Sequence, residues 1–293
     1  MTKLKLTELN STLRNLQARW KAAEVQADYH LGYSPAAGEH PLQTREFLAY
    51  SNHQHFMAAA STGAALPNPP AVDWRWFKTA ACLAGGQPGD YVTPVKDQKT
   101  CGCCVAFGTV AAIESAVRIQ AKNPSLAVDL SEADLFYCHD GITPGPTCES
   151  GWNPTAALAC CKNTGIVDAK CFPYTPGDQR CNKCTDWKQR LTKISAWQTL
   201  TSTGAMKDWL ACHGPLITCM SVYADFQNYQ SGVYHHVSGP LEGGHCICCV
   251  GYDDSSRFWI CKNSWNTGWG EQGFFRIAYG QCGIDASMWA VQL

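Results

Sequence analysis

The stretch from Val92 to Ser115, VTPVKDQKTCGCCVAFGTVAAIES, constrains this chain more than any other. A turn-rich, cysteine-dense loop gives way there to apolar positions at Val105, Phe107, Val110, Ala111, Ile113 and Val117. That spacing predicts a helix beginning at the last cysteine of the loop, Cys104. A helix N-terminus offers unpaired backbone N–H groups and the positive end of the macrodipole, both of which favour an anion. A thiol placed there shifts toward the thiolate, the form that attacks carbonyl carbon. Cys104 is therefore the candidate nucleophile, and its neighbour Cys103 is the rival.

The whole chain sets wider bounds. Its 293 residues allow one large or two medium domains with a sizeable core. A net charge of −1 and a pI near 6.7 leave no basic excess, so neither nucleic acid nor an anionic membrane is an expected partner. No apolar run reaches the length of a membrane span. Eighteen cysteines, about 6% of the chain, point to disulfides and an oxidising compartment, secreted, periplasmic or lysosome-like. The first thirty residues contain no signal-peptide apolar core, which points the other way and leaves a cytoplasmic location open.

Residues 1–70 read differently from the rest. Leu6, Leu9, Leu13, Leu16 and Trp20 form one apolar helical stripe, and Arg45–Tyr50 is a second short helical patch. Met57–Pro70, rich in small residues and proline, reads as a flexible linker. From residue 71 the pattern is α+β. A mainly helical half runs over 71–190, and a half rich in short β-like runs over 191–293. Those runs include Leu216–Tyr223, Cys246–Tyr252, Phe258–Cys261 and Phe274–Ile277, bounded by Gly, Asn and Asp.

Three motifs together resemble one known family. Gln98-x-x-Cys101-Gly102-x-Cys104 resembles the active-site segment of papain-like cysteine peptidases. EGGHCICCVGYDD places His245 141 residues after Cys104, and KNSWNTGWGEQGFFRI places Asn263 159 after it. Cys103 and Val105 depart from the family's loop, and Val105 replaces an aromatic, which predicts a more open cleft wall. The resemblance implies a two-lobed α+β fold, with the nucleophile on one lobe, His245 and Asn263 on the other, and the site in the groove between them. Ser221–His245 and the segment SWNTGWGEQGFF (Ser264–Phe275) look more like the cathepsin B branch than like papain itself. The branch's His-bearing occluding loop has no counterpart in Cys171–Cys184, which implies an open cleft and endopeptidase action.

By the same resemblance, Cys104 is a thiolate paired with protonated His245, and Asn263 orients the imidazole. Gln98 offers its side-chain N–H to the oxyanion beside the Cys104 backbone N–H. Trp265 shields the His245–Asn263 pair and borders the substrate site. Gly151, Trp152, Asn153, Cys219 and Cys246 line the peptide-binding cleft and its main pocket. Disulfides are implied between Cys101 and Cys148, Cys138 and Cys181, and Cys171 and Cys184. Residues 1–70 stand where the family carries an inhibitory prosegment, in or near the cleft; a helical cap that stays in place is the alternative. Peptides are the implied substrate, the chain is expected to be a monomer, and no cofactor is implied. Cys101-x-x-Cys104 and Cys181-x-x-Cys184 also read as zinc half-sites, but no second pair completes either, so no metal is expected. A catalytically silent module of the same fold and a Cys-His acyl or peptidyl transferase are the rival functions.

Overall fold

The computed structural model describes residues 2–25, 27, 29–33, 68–78, 83, 85–138 and 145–293. The expected helical patch at Arg45–Tyr50, most of the expected Met57–Pro70 linker, and Cys82 lie outside the described residues.

The N-terminal stripe forms only one short helix, α1 (Leu6–Asn15), which buries Leu9 and Leu13. The predicted stripe does not continue through Leu16, which is 58% exposed. The chain turns at Gln17, where φ is positive, and Trp20 enters a strand instead, β1 (Trp20–Ala22). Tertiary pairing has overridden the helical periodicity. A second short strand, β2 (Ala71–Asp73), follows.

The predicted central helix is α2 (Cys104–Gln120). Its residues from Cys104 to Ser115 are all buried, as expected of a helix apolar on every side. Two shorter helices flank it. In α3 (Glu132–Tyr137) the Ser131 hydroxyl caps the N-terminus by accepting from Asp134 N–H at 2.8 Å. In α4 (Pro154–Asn163) Asn153 caps in the same way and proline occupies the first turn.

The second half is a twisted sheet with one helix beside it. It comprises β3 (Ala196–Leu200), α5 (Thr203–Cys212), β4 (Leu216–Tyr223), β5 (Tyr229–Tyr234), β6 (Leu241–Asp253), β7 (Phe258–Lys262), β8 (Phe274–Ala278) and β9 (Met288–Gln292). The strand order is β1-β5-β8-β7-β6-β4-β9-β3, with β2 pairing to β6. All pairs are antiparallel except β5 with β8.

Period-two alternation along β6 divides its side chains between two cores. Cys246, Cys248 and Val250 join the core built around α2. Ile247, Cys249 and Tyr252 join a second core that also takes Leu9, Leu13 and Trp20. Helix α2 lies directly on β6, and the residue at the contact is Gly108. A Cβ there would stand 3.1 Å from Ile247 backbone N and O, so the smallest residue lets helix and strand approach.

Candidate active site

This close approach of α2 and β6 sets the site. Cys104 is the first residue of α2, and its Sγ accepts a hydrogen bond from the Cys246 N–H of β6 at 3.4 Å. His245, one residue earlier on β6, is fully buried. Its Nε2 lies 2.8 Å from Asn263 Oδ1, so the ring donates there and carries its lone pair on Nδ1. Asn263 Oδ1 also accepts from Ser264 N–H at 2.8 Å, which fixes the amide orientation. The Trp265 indole stacks on the imidazole with centroids 4.8 Å apart, and neither His245 Nδ1 nor Asn263 Nδ2 has a hydrogen-bond partner.

Gln98 is buried at the other side of the nucleophile. Ser264 Oγ donates to Gln98 Oε1 at 2.6 Å, leaving Nε2 free to donate elsewhere. It does so twice, to Cys101 O at 2.9 Å and to His30 O at 2.8 Å. A peptide carbonyl of the N-terminal segment thus lies on the donor that the sequence assigns to an oxyanion.

Residues 29–33 run across the site. Trp152 N–H donates to Gly32 O at 2.7 Å, and Tyr33 N–H donates to Gly244 O at 3.1 Å. Tyr33 and Trp152 form a parallel β-bridge. The Gly32 backbone N–H lies close enough to the Cys104 sulfur to favour its anionic form. A Cβ on Gly32 would fall 1.7 Å from Gly102 O, so only glycine fits there. Gly151, at φ 66°, meets the segment as closely: a Cβ on it would lie 2.0 Å from Gly32 O. Upstream, Tyr29 stacks on Trp265 at 4.7 Å and donates from its hydroxyl to Trp265 O at 2.8 Å.

This cover reverses the expected electrostatics. Burial pushes the Cys104 thiol well above its ordinary range, the neighbouring Cys246 thiol adds to that, and bonds from Cys246 and Gly32 backbone N–H groups only partly offset it. Burial also holds His245 down, to about 4, against a smaller upward pull from Asn263. Burial thus works against both charges of the expected thiolate–imidazolium pair in this covered state. Cys103 points the other way. Its sulfur lies 3.2 Å from the Tyr174 hydroxyl, and burial raises it to about 12.

Of the residues read as cleft walls, Gly151 and Trp152 contact the N-terminal segment, and Trp265 covers the histidine. Cys219 and Cys246 stand opposite each other across β4 and β6 and are sealed from solvent. Disulfides join Cys101 to Cys148, Cys138 to Cys181, and Cys171 to Cys184. They take Cys101, Cys181 and Cys184 out of any zinc half-site. Cys212, left without a pairing by the sequence, is disulfide-bonded as well.

Sequence reasoning missed Tyr29, His30, Gly32, Tyr33, Ser264 and Tyr174. The only local hint was Gly32, a glycine between Leu31 and Tyr33 where a backbone approaches closely. The Thr93–Gln98 loop and β7 are also tied together below the site. Lys262 Nζ donates to Thr93 Oγ1 at 3.0 Å, and Lys96 Nζ pairs with Glu114 at 2.9 Å and Glu132 at 2.7 Å.

Comparison with known proteins agrees with this architecture. The profile described as papain family cysteine protease matches residues 69–292. The chain is 36% identical over 207 residues to cathepsin B-like CP3 of Giardia intestinalis, covering 66% of this chain and 68% of that protein. It is 34% identical over 228 residues to pro-cathepsin H of Bos taurus, covering 75% of this chain and 63% of that one. The match thus spans roughly two thirds of the length of these relatives. Among solved structures, procathepsin B S9 from Trypanosoma congolense superposes with a TM-score of 0.73 at 22% identity, over 99% of this chain and 98% of that one, and shows the shared fold. With the profile spanning most of its length, the chain belongs to the papain family of cysteine proteases.

Proposed function

We propose that this chain is a cysteine endopeptidase made as a zymogen, with residues 1–70 as prosegment and linker and 71–293 as the catalytic domain. The observation that carries the reading is the peptide backbone of residues 29–33 lying over Cys104, with its His30 carbonyl on Gln98 Nε2. A site that holds a carbonyl against that donor and a backbone against Trp152 N–H has the fittings for a peptide substrate. Burial that disfavours both charges of the Cys104–His245 pair works against cleavage of that backbone while it is bound.

Once the segment leaves, water and substrate reach the pair and the desolvation that keeps it neutral is relieved. Cys104 then attacks the scissile carbonyl as thiolate, and Gln98 Nε2 with the α2 N-terminus takes the oxyanion. His245, held by Asn263 and roofed by Trp265, protonates the departing amine and afterwards activates the water that releases the acyl group.

Labelling with an epoxide inhibitor of cysteine peptidases, before and after limited proteolysis of the folded chain within residues 34–67, tests this. Expected is modification of Cys104 only after cleavage, together with hydrolysis of peptide substrates. Equal labelling in both forms would remove the zymogen reading and keep the peptidase. No labelling in either would favour a silent module, and label on Cys103 would move the nucleophile by one residue.

A further inference from the structure

Ser264 holds Gln98 at two points, the side-chain oxygen through its hydroxyl and the backbone N–H through its carbonyl at 2.9 Å, while the Gln98 carbonyl is held from elsewhere. The Tyr174 hydroxyl donates to Gln98 O at 2.6 Å. The same oxygen lies 3.2 Å from Cys103 Sγ. A phenol has one proton to give, and Gln98 takes it, so the Cys103 thiol has two acceptors for its own proton, the hydroxyl at 3.2 Å and Cys101 O at 3.7 Å. One hydroxyl therefore touches the loop at both ends. Gln98 carries the side-chain oxyanion donor, and Cys103 precedes the residue that carries the backbone donor.

The phenol is itself fixed. Its ring stands edge-on to Phe107 of α2, with centroids 4.9 Å apart at 89°. Its backbone belongs to the segment closed by the Cys171–Cys184 disulfide. Cys101 adds a further tie, accepting from Gln98 Nε2 at 2.9 Å while bonded to Cys148. Ser264 anchors the start of the 98–104 loop and sets which way the Gln98 amide faces. Within the loop, Gln98 O takes the Cys101 N–H at 3.4 Å and the Tyr174 hydroxyl, and only the hydroxyl also reaches Cys103 beside the α2 N-terminus.

We propose that Tyr174 is a positioning residue for oxyanion stabilisation, its hydroxyl setting the spacing between the Gln98 amide and the N-terminus of α2. The inference rests on the peptidase reading above. An oxyanion donor is effective only at its preorganised distance, and a displacement of about 1 Å can cost on the order of a hundredfold in rate.

The test uses full chain folded intact and then opened by limited proteolysis, with active sites counted by epoxide titration. Tyr174→Phe keeps the ring and removes the hydroxyl. Expected is a fall in kcat of about tenfold, KM within about twofold, and no change in alkylation of Cys104 by iodoacetamide, a displacement that needs no oxyanion donor. In a Gln98→Ala background the Tyr174→Phe effect should vanish, since the group being positioned is gone. Cys103→Ala, which removes the other contact of the bridge, should give a loss of about threefold that vanishes in the same background.

An unchanged kcat in both variants would overturn the proposal. So would equal losses with and without Gln98, or a matching loss in iodoacetamide alkylation, each of which signals general loosening of the fold. If Tyr174→Phe fails to fold, the Cys103→Ala cycle decides alone. Absence of turnover in the parent chain would sink the peptidase reading and this inference together; turnover without a Gln98-dependent effect would sink this inference only.

Discussion

Two parts of the N-terminal region cover the catalytic half by opposite means. Residues 6–22 hold on by side chains: Leu9, Leu13 and Trp20 are buried in the second core, and β1 adds a strand to β5. Residues 29–33 hold on chiefly by backbone, through Gly32 and Tyr33 to Trp152, Gly244 and Cys104. The first contact is mainly apolar with an added strand and is indifferent to protonation. The second, apart from Tyr29 on Trp265, is made of short backbone hydrogen bonds beside the site. On the zymogen proposal, anchoring and blocking are thus separate jobs, assigned to separate stretches.

Trp20→Ala should break the anchor and produce the largest effect. Trp20 is 3% exposed, lies 5.1 Å from the Tyr234 ring, and donates from its indole to His235 O at 3.0 Å. Loss of a buried tryptophan costs about 3–5 kcal/mol, enough to raise the uncovered fraction by roughly two to four orders of magnitude. The Cys104 labelling rate of the uncut chain would report it. Labelling no faster than in the parent chain would mean that the cleft contact alone suffices.

Gly32→Ala attacks the blocking stretch instead. Its new Cβ meets Gly102 and cannot be relieved by rotating a side chain, so the 29–33 stretch must lift away while α1 stays docked. Strain of this kind is worth about 1–3 kcal/mol, a gain of roughly ten- to a hundredfold in labelling. Hydrogen exchange should then rise at the amides of Tyr33 and Trp152 and remain low in β1. Equal loss of protection in both stretches would mean that they release as one unit.

Acidity should act on the same stretch. While covered, His245 takes up a proton only near pH 4, because burial holds it below the 6.5 of a hydrated imidazole. Wherever the uncovered state binds more protons than the covered one, covering weakens as pH falls, and this continues until His245 is protonated in both states, near pH 4. The labelling rate of the uncut chain relative to the opened chain should rise across that window. A ratio that is flat, or that falls with acid, would contradict the burial of a neutral histidine.

Ser264→Ala is the mildest change. It frees the Gln98 amide to rotate while leaving its main chain held by Tyr174, and a lost hydrogen bond of this kind lowers kcat by about three- to tenfold. It should leave the covering equilibrium almost untouched, which separates it from both Trp20 and Gly32.

A further contrast concerns the cysteines. The three disulfides named above all brace the helical half, where long loops between α2, α3 and α4 lack a ladder of hydrogen bonds. In the sheet half Cys246, Cys248, Cys249 and Cys261 are buried outside these disulfides, because strand pairing already fixes the backbone and the thiols pack as small apolar groups.

What could be read from the sequence was whatever is written in short windows. The apolar run after Cys104 specified α2 and put the cysteine at its first turn. Strong β-like runs specified β4, β7 and β8 almost to the residue, and most of β6. Gln98, Cys104, His245 and Asn263 stood out because each sits in a motif, and the fold brings those motifs together. Weak windows misled: the Leu6–Trp20 stripe continued on paper, but pairing of Trp20 with Gly232 ended it.

Only the tertiary structure decided the rest. Gly32 meets Gly102 and Gly151, and Tyr174 meets Gln98, across sequence gaps that no periodicity registers. The charge state of the candidate catalytic pair was decided there too. A helix N-terminus favours a thiolate locally, but five residues of backbone laid over it remove the water that a thiolate needs. Local sequence thus determined which groups make up the site, and long-range burial determined whether they are charged, because hydration is a property of everything packed around a group.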